Sequence, residues 1–524
     1  MITKLPNEFL AVVSQNNNLQ RYLQGLLVGK DPTPRSWLYE DVENPDDILE
    51  MWMRHLSRLQ DGDLFEKRVF QFDTSQIEKW GYQGGVAPIA ELLDEVVLPS
   101  FSDASSPSPS AFDSYEWKDA LCGVKAELKA ARISRIQPVA YKRVVDDMRA
   151  RDTLESNSGW PDFTRRSTPE VVQAAIAAAT DGQWETYPAI ALFRNYNQKT
   201  RLVWMFPMAA NVFEGSYMQP IQSTIVNRNI PFFCPWVGFE AVRARITEAY
   251  NRGWSVMATD FSSTDAHFQW SSSEQVLDVL NAVVMKKHQE GLASSLKRMH
   301  NIPLIIGPDS MIEGEHGVSS GSNWTNFVET IFDWCFAKYV ERKTNYKVGG
   351  LYAIGDDMAW FAPQFWDAFA EQAEAFGKEV GQLVRADKTT NERDWVKTLQ
   401  RLFQRGYNRP DGQCRGVYST IRALKSSVFP ERFHKPKTWS SDMFCARQYM
   451  ILENCVDHPL FEEFVKFVVE GQKDLIPFAK KSRGELKQIL RQSKLIPGLN
   501  PTYNQEKRDH ELADFASIRI AAEL

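Results

Sequence analysis

Two neighbouring carboxylates, Asp356 and Asp357, follow Gly355 between the apolar runs 352–354 and 358–361. A Gly-Asp-Asp segment between such runs predicts a short β-hairpin that presents both carboxylates at its turn. Each negative charge disfavours ionisation of its neighbour, and a bound divalent cation would remove that penalty. The alternative is an ordinary solvated turn, so the rest of the chain must decide between the two.

A second pair of carboxylates, Asp260 and Asp265, follows the apolar run 256–259. The run predicts a buried strand that ends at Asp260, with a polar turn after it. Residues 271–274 have the spacing of a capping box and predict the start of a helix. A carboxylate at the end of a core strand is a frequent site geometry, although Asp260 alone would also suit the capping of a turn. The apolar positions expected on one face of that helix are Val276, Leu277, Leu280, Val283 and Val284.

A loop rich in Gly and Ser, 316–326, leads into a further predicted helix with apolar residues on one side. Gly317, Ser319 and Gly321 match the spacing of a hydrolase nucleophile elbow. That motif requires a hydrophobic strand directly before it, and residues 311–316 make a poor strand. We therefore disfavour a hydrolase with Ser319 as its nucleophile.

Lys199 and Arg201 alternate with apolar residues in the manner of a strand, which places both cations on one face. Two cations at this spacing suit a polyanion such as a triphosphate. Pairing with surface carboxylates is the alternative.

A turn-forming stretch, 158–161, contains Trp160, whose ring could stack on a nucleic-acid base or could simply cap the loop with Pro161. Two predicted helices carry basic stripes, which indicate either solvated faces or surfaces that follow a phosphate backbone. The stripes are Lys125, Lys129, Arg132 and Arg135, and Arg483, Lys487, Arg491 and Lys494.

Composition narrows the class of protein without naming its partner. The chain has 524 residues, of which 43% are hydrophobic and 24% charged, as expected of several folded domains. We expect neither secretion nor a membrane span, because no apolar run of about 18 residues occurs. Six scattered cysteines without a C-x-x-C pair argue against zinc and favour a reducing compartment. The net charge of −6 gives no sign of a nucleic-acid partner.

The remaining segments predict mainly helices. Residues 1–98 look helical, and the Ser- and Pro-rich stretch 99–114 is the best candidate for a linker or surface loop. A helix is expected over 366–380. Strands are expected over 401–407 and 416–419 around a turn, and helices from about 421 onward.

The strand-terminal aspartates, the Ser-Gly loop and the Gly-Asp-Asp hairpin, in this order, resemble the palm of viral RNA-dependent RNA polymerases. The strand with Lys199 and Arg201 is similar to the basic finger element of that family. The loop formed by Ser158, Gly159, Trp160 and Pro161 looks like a template-contacting loop. The chain length, the Ser320-Gly321-Ser322 form and the Gly-Asp-Asp most resemble polymerases of picobirnaviruses, and next those of partitiviruses.

The resemblance implies an α+β right-hand fold with fingers, palm and thumb, an antiparallel-sheet palm, and mainly helical fingers and thumb. It implies an amino-terminal segment that bridges fingers and thumb, a fingers insertion inside the palm, and a thumb with a carboxyl-terminal tail. The corresponding boundaries are 1–98 for the bridge, 99–250 for the fingers, 251–290 and 315–420 for the palm, 291–314 for the insertion, and 421–524 for the thumb and tail. The hairpin 403–418 resembles the primer-grip element.

The resemblance also implies a reaction, nucleotidyl transfer with two divalent cations, Mg²⁺ or Mn²⁺. Asp260 and Asp356 would be the metal ligands with Asp357 in support, and the backbone carbonyl of Phe261 would complete the shell. Lys199 and Arg201 would bind the triphosphate.

Ribose selection would fall to Asp265 and to the loop with Ser320, Gly321 and Thr325. Here the chain departs from the commonest family pattern, which has Asn four residues after the helix Thr, where this chain has Glu329. Either Asn326 is recruited instead, or Asp265 works with Ser320 and Thr325. Lys388 is a candidate general acid for pyrophosphate, with an exposed loop lysine as the alternative.

The resemblance implies an RNA template and product, nucleoside triphosphates and a viral capsid protein as partners, and no membrane. It implies a monomer located in the virion interior and the host cytoplasm. Residues 497–524 are expected to fold back and plug the cavity or support primer-independent initiation. The rival functions are a reverse transcriptase and a non-catalytic protein that binds RNA or associates with a capsid.

Overall fold

The computed structural model describes residues 1–432, 435–501 and 510–524. Its strands form three sheets, of five, four and three strands. The strands are β1 (Ile2–Lys4), β2 (Ala189–Tyr196), β3 (Lys199–Met205), β4 (Ser255–Thr259), β5 (Leu304–Ile305), β6 (Ser310–Ile312), β7 (Gly350–Ile354), β8 (Asp357–Ala362), β9 (Thr390–Asn391), β10 (Trp395–Thr398), β11 (Arg401–Asn408) and β12 (Cys414–Val417).

Helices make up most of the remaining regular structure, before, between and after the sheets. The helices up to the second palm strand are α1 (Asn7–Gln15), α2 (Asn17–Val28), α3 (Pro45–Leu56), α4 (Leu64–Thr74), α5 (Ile89–Leu92), α6 (Pro99–Ser102), α7 (Tyr115–Ala130), α8 (Tyr141–Ala150), α9 (Pro169–Asp181), α10 (Met208–Asn227), α11 (Cys234–Val237), α12 (Phe239–Asn251), α13 (Thr264–His267), α14 (Trp270–Asn281), α15 (Gln289–Met299) and α16 (Trp324–Thr344). Those that follow are α17 (Phe369–Glu379), α18 (Thr420–Val428), α19 (Ser441–Glu453), α20 (Phe461–Glu470), α21 (Leu475–Ala479), α22 (Arg483–Lys494) and α23 (Ala516–Ala522).

The four-stranded sheet is antiparallel, in the order β7-β8-β4-β9. All five residues of β4 are buried, as are five of the six residues of β8, so neither strand alternates between polar and apolar side chains. This pattern is typical of central strands covered on both faces. The prediction of a buried strand ending at Asp260 and of an apolar hairpin around Gly355 is therefore confirmed.

The five-stranded sheet joins distant parts of the chain, in the order β1-β6-β5-β2-β3. Strands β2 and β3 form an antiparallel hairpin through Asn197 and Gln198, and β5 adds to β2 in parallel. The first strand of the chain pairs with β6, with Ile2 opposite Ile312. Lys199 and Arg201 therefore lie on a strand, as predicted.

Residues 1–98 divide between two hydrophobic cores. Leu5, Leu19 and Leu26 pack in the cluster that contains β2, β5 and α10. Trp52 and Phe72 pack with the helices that follow β12. A segment that joins fingers and thumb must be divided in this way, although the domain boundaries themselves stay predictions.

The Ser- and Pro-rich stretch 99–114 is not a plain surface loop. It contains α6 and two 3₁₀ turns, and the ring of Phe112 is buried 4.9 Å from that of Trp117. Pro99 occupies the first turn of α6 and Ser114 caps α7 through the Trp117 amide, so these residues mark helix starts.

The predicted capping box at 271–274 is also wrong. Helix α14 begins one residue earlier, at Trp270, without a side-chain cap, and Ser273 instead bonds the His300 ring at 2.6 Å. The first basic stripe does not lie on one helix face, since α7 ends at Ala130. The helix expected over 366–380 begins only at Phe369 and ends at Glu379.

A buried carboxylate, Asp73, joins the amino-terminal segment to the start of α18. Its oxygens accept hydrogen bonds from the hydroxyls of Ser419 and Thr420, both at 2.6 Å, and from the backbone amide of Ile421 at 3.0 Å. The ring of His458 lies 2.8 Å away. Burial raises the pKa of Asp73, but His458 and the two hydroxyls lower it by more than burial raises it, so the net shift is downward. The negative charge also lies at the positive end of the α18 dipole.

We expect Asp73→Ala to lower the free energy of unfolding by about 3–5 kcal/mol, because it leaves buried donors and His458 without a partner. Since the folded pKa of Asp73 is lowered, its contribution is present above about pH 4 and is lost as the pH falls through the folded value. Urea unfolding followed by tryptophan fluorescence measures the change. The exposed Glu50→Ala on α3 is the control, and an equal effect of both variants would contradict the assignment.

Candidate active site

Two adjacent strands bring the predicted carboxylates together. Strand β4 pairs with β8 so that Thr259 lies opposite Met358. Asp260 follows Thr259, and Asp357 precedes Met358, so the two aspartates leave neighbouring strands at the same end of the sheet. Asp356 lies in the turn beside them, and all three side chains are exposed at this end.

The turn that carries Asp356 is held from below by α16. Gly355 has a φ of +58°, a left-handed backbone conformation that favours glycine. The Gly355 amide donates to the Thr330 hydroxyl at 2.8 Å. The Thr264 hydroxyl donates to Asp356 at 3.2 Å. A threonine hydroxyl on each side therefore holds the turn and the Asp356 carboxylate.

The electrostatics of the three aspartates favour a cation. Desolvation, followed by the charges of Asp356 and Asp260, raises the pKa of Asp357 to about 7. Desolvation also raises the pKa values of Asp356 and Asp260. The positive charge of Lys388 partly offsets the shift at Asp260. Without a cation, the three groups cannot all be ionised at neutral pH at low cost.

Further acidic residues lie behind this group. Asp265 has a pKa raised to about 6, by desolvation and then by the charge of Asp356. It shares a hydrogen bond with Glu329 on α16, whose pKa is raised well above its usual value by desolvation and by Asp265. Asp333, one helical turn later, is also buried with a raised pKa. We infer that Glu329 is the protonated partner and donates to the Asp265 carboxylate.

The Ser-Gly loop lies against β3 beside these acids. The Ser320 hydroxyl accepts from the Trp204 amide at 3.2 Å. A Cβ at Gly321 would lie 1.8 Å from the Trp204 carbonyl oxygen, so the close approach requires glycine. Sequence reasoning did not foresee this contact between the loop and β3.

The structure separates the residues predicted to contact ribose. Thr325 is buried, and its hydroxyl donates to the Ser319 carbonyl at 2.5 Å, so it holds the loop and does not face a nucleotide. Asn326 is exposed to the cavity beside Asp356 and Asp357. Ser319 is fully buried, with its hydroxyl donating to the Met299 carbonyl at 2.8 Å, so it is not placed as the nucleophile of a hydrolase.

The predicted cations lie near residues that the sequence did not single out. Lys199 is exposed, whereas the Arg201 guanidinium lies 4.4 Å from the centre of the Tyr196 ring. Burial, together with repulsion from Arg422, Arg201 and Lys388, lowers the pKa of Lys79 to about 8. Lys79 therefore lies near Arg201, Lys388 and Arg422, which come from three other parts of the chain.

A cavity of about 1000 Å³ opens in front of the aspartates. Asp356, Asp357 and Asn326 line one side, and cations of the fingers hairpin and of the following helices line the other. The cations on this wall are Arg194, Arg422, Lys425, Arg432 and Arg447. Gly498, Asn500 and Pro501 also line it, while residues 502–509 of the predicted plug lie outside the described residues.

The predicted template loop is buried at its centre. Trp160 is 4% exposed and its ring packs 4.9 Å from that of Phe9, so it does not stack on a base. Ser158 is also buried, and Gly159 adopts a φ of +66° against the Phe206 carbonyl. Pro161 follows at the edge of the loop. The mistake arose because a partner as distant in sequence as Phe9 could not be foreseen.

The second basic stripe is largely neutralised by the carboxyl-terminal segment. On α22, Arg483 pairs with Glu511 and with Asp514, and Lys487 pairs with Glu511 at 3.2 Å. This stripe is therefore not a free surface for RNA.

The aspartates fit a divalent cation by donor type and charge. Carboxylate oxygens on rigid strands are the ligands that Mg²⁺ and Mn²⁺ prefer. Within the described ranges, no three carboxylate, imidazole or thiolate groups already surround one point as a bound ion requires. The side chains of Asp260, Asp356 and Asp357 must therefore turn toward one another to bind an ion.

Comparison with known proteins decides the class of this site. Residues 196–394, which contain β3, the Ser-Gly loop and the aspartate hairpin, match the family model described as viral RNA-dependent RNA polymerase. This region therefore has the sequence features of a viral RNA-dependent RNA polymerase domain. The whole chain is 26% identical over 483 residues to a potential RNA-dependent RNA polymerase of Human picobirnavirus, covering 87% of this chain and 86% of that one.

Solved structures show that the polymerase has the right-hand fold. The crystal structure of the RNA-dependent RNA polymerase of a human picobirnavirus matches with a TM-score of 0.81 and 22% identity, over 99% of this chain and all of that one. A mutant of a human picobirnavirus polymerase with an insertion loop deleted matches with a TM-score of 0.79 and 22% identity, over 94% and 97% of the two chains. The α+β class with an antiparallel palm sheet is confirmed.

We expect Mn²⁺ to bind at these aspartates more tightly as the pH rises from about 6 to about 8, because Asp357 must lose a proton to bind a cation. Isothermal titration calorimetry in two buffers counts the released protons. Asp356→Asn should weaken binding by about tenfold or more. The exposed Asp367→Asn serves as control; equal affinity and proton release in both variants would contradict the assignment.

Proposed function

We propose that the chain catalyses template-directed RNA synthesis from nucleoside triphosphates, in the replication and transcription of a double-stranded RNA virus genome. The observation that carries this proposal is the meeting of Asp260 with Asp356 and Asp357 at one end of the palm sheet, where Asp356 and Asp357 line a cavity that is also lined by cations. Carboxylates alone would suit many cation sites. Carboxylates opposite cations suit a substrate that brings both a metal and a polyphosphate.

In the proposed reaction, a 3′-hydroxyl attacks the α-phosphate and pyrophosphate leaves. Two divalent cations held by Asp260, Asp356 and Asp357, with the Phe261 carbonyl, would stabilise the attacking and leaving oxygens. Lys199 and Arg201 bind the triphosphate, and their charges offset the charge that develops on the leaving group.

Two neighbouring cations suit the departure of pyrophosphate. Lys388 lies close enough to Asp260 to lower its pKa, and it is exposed in the turn after Val384. From there it can donate a proton to the leaving oxygen. Lys79 adds a second cation near the same place, with a pKa lowered to about 8. A group that loses its proton near neutral pH is suited to proton transfer.

Sugar selection is proposed for Asp265, Asn326 and the loop with Ser320 and Gly321. The Asp265 carboxylate accepts from Glu329 and retains lone pairs that can accept from a ribose 2′-hydroxyl. A reverse transcriptase would instead need a bulky residue beside Asp265 to exclude that hydroxyl. The groups that act on the Asp265 carboxylate are Asp356 and Glu329.

The proposed setting follows the class of enzyme. RNA template and product would occupy the cavity, and a viral capsid protein would house the polymerase as a monomer in the virion interior and in the host cytoplasm. No helix in the described part of the chain is both long and apolar enough to cross a bilayer. Gly498, Asn500 and Pro501 line the cavity, where a tail that supports initiation would begin.

We expect Asp356→Ala to reduce RNA synthesis by about a thousandfold or more, since a lost metal ligand removes several kcal/mol of transition-state stabilisation. RNA binding should stay within about twofold. Primer extension on an RNA template, with ribonucleotides and deoxyribonucleotides in separate reactions, measures this. Asp367→Ala is the matched control. A preference for deoxyribonucleotides would indicate a reverse transcriptase, and full activity of Asp356→Ala would indicate a binding protein.

We expect Lys199→Gln to raise the KM for nucleoside triphosphates by about tenfold, because one charge-assisted bond to phosphate contributes about 1.5 kcal/mol. The side chain is exposed, so the fold should be unaffected. Initial rates at saturating template give the value, with the exposed Lys347→Gln as control. A KM equal to that of the control would exclude Lys199 from triphosphate binding.

A further inference from the structure

A buried carboxylate outside the palm, Glu214 on α10, holds the residues that follow Gly321. The Ser322 hydroxyl donates to one of its oxygens. The Asn323 backbone amide donates to the other at 3.0 Å. Ser322 in turn accepts from the Trp324 amide at 3.1 Å, at the first residue of α16. One side chain of the fingers thus fixes both the loop and the start of the helix that carries Asn326.

Asn211, one turn earlier on α10, completes this contact. Its amide donates to Glu214 at 2.9 Å and to the Gly321 carbonyl at 3.1 Å. Its own backbone carbonyl accepts from the Asn323 side chain at 3.0 Å. Residues 321–323 are therefore bound through side chain and backbone to a single turn of a fingers helix.

Arg166 extends the contact to the predicted template loop. Its guanidinium donates to the Asn211 side-chain oxygen at 2.8 Å and to the Asn157 carbonyl at 3.1 Å. The loop at 156–166 is closed by a bond of 2.6 Å from the Ser158 amide to the Thr164 carbonyl. Arg166, Asn211 and Glu214 thus form a continuous polar chain between the 156–166 loop and the Ser-Gly loop.

The charge of Glu214 depends on the loop being in place. Burial raises its pKa, the bonds from Ser322, Asn323 and Asn211 and the charge of Arg166 lower it, and the net pKa is about 7. The positive end of the α16 dipole also favours the negative charge. By linkage, the ionised form of Glu214 and the seated form of the loop stabilise each other.

We propose that Arg166, Asn211 and Glu214 are positioning residues that seat the Ser320–Gly321 loop against β3 and couple its position to the 156–166 loop. This rests on the proposed function, since the seated loop forms a wall of the nucleotide pocket. The three side chains touch neither substrate nor the reacting atoms. They act through Ser322, Asn323 and Gly321, whose displacement would misplace Ser320 and Asn326.

The test compares Glu214→Ala with the conservative Glu214→Gln. Alanine removes the acceptor for both loop donors, and we expect the KM for nucleoside triphosphates to rise about tenfold, with kcat and template affinity changed by less than about threefold. Glutamine can accept from Asn323 and Asn211 and donate to Ser322, so it should restore most of the KM. The exposed Glu170→Gln on α9 is the matched control.

Two further variants separate positioning from general stability. Glu214→Ala combined with Ser322→Ala should raise KM by less than the product of the single effects, because both substitutions remove the same hydrogen bond between Ser322 and Glu214. Arg166→Gln should raise KM by about threefold if the 156–166 loop is coupled. Additive effects, or a KM that follows thermal stability alone, would overturn the proposal.

A readout independent of catalysis keeps the two proposals distinct. Hydrogen–deuterium exchange at residues 317–326 should increase in Glu214→Ala and in Arg166→Gln, but not in Glu170→Gln. Unchanged exchange there overturns the positioning role even if RNA is synthesised. If exchange increases in these variants but the unsubstituted chain makes no RNA, the positioning role is supported and the proposed function is contradicted.

Discussion

The site depends on one constraint, the pairing of β4 with β8. Because Thr259 lies opposite Met358, the aspartates that follow one strand and precede the other leave the sheet at the same point. A shift of one residue in this register would exchange the two faces of each strand and separate the carboxylates. Because both strands are buried on both faces, the fit of particular side chains and not a polar–apolar alternation fixes the register, so the core of the palm determines the spacing of its charges.

Helix α16 converts that spacing into a rigid site. The helix is almost wholly buried, yet it presents Thr330 to the hairpin turn, Asn326 to the cavity, and Glu329 to Asp265. Its first turn is held by α10 through Ser322 and Asn323. The palm carboxylates, the nucleotide wall and the fingers therefore share one helix. A displacement of α16 cannot affect one of these parts without the others.

Local patterns in the sequence were sufficient for some parts of the site. The apolar run before Asp260 and the Gly-Asp-Asp between two apolar runs encode strand, turn and strand within a few residues, and both were predicted correctly. The contacts of Glu214, Lys79 and Asp73 depend on residues far away in the chain, and no periodicity marks them. Trp160 shows the opposite error, because an aromatic ring in a polar turn looks exposed until Phe9 covers it.

The same reasoning explains why Glu329 can stand where the commonest pattern of these polymerases has Asn. An amide beside Asp265 would donate one hydrogen bond to its carboxylate. Burial and the neighbouring negative charges keep the proton on Glu329, so it donates one bond as well. Glu329 in place of Asn therefore still donates a hydrogen bond to Asp265, but its retention of the proton needed for this bond depends in part on the negative charges nearby. A cation bound at Asp356 would offset one of the negative charges that hold the proton on Glu329, so the hydrogen bond to Asp265 and the aspartate group are electrostatically linked.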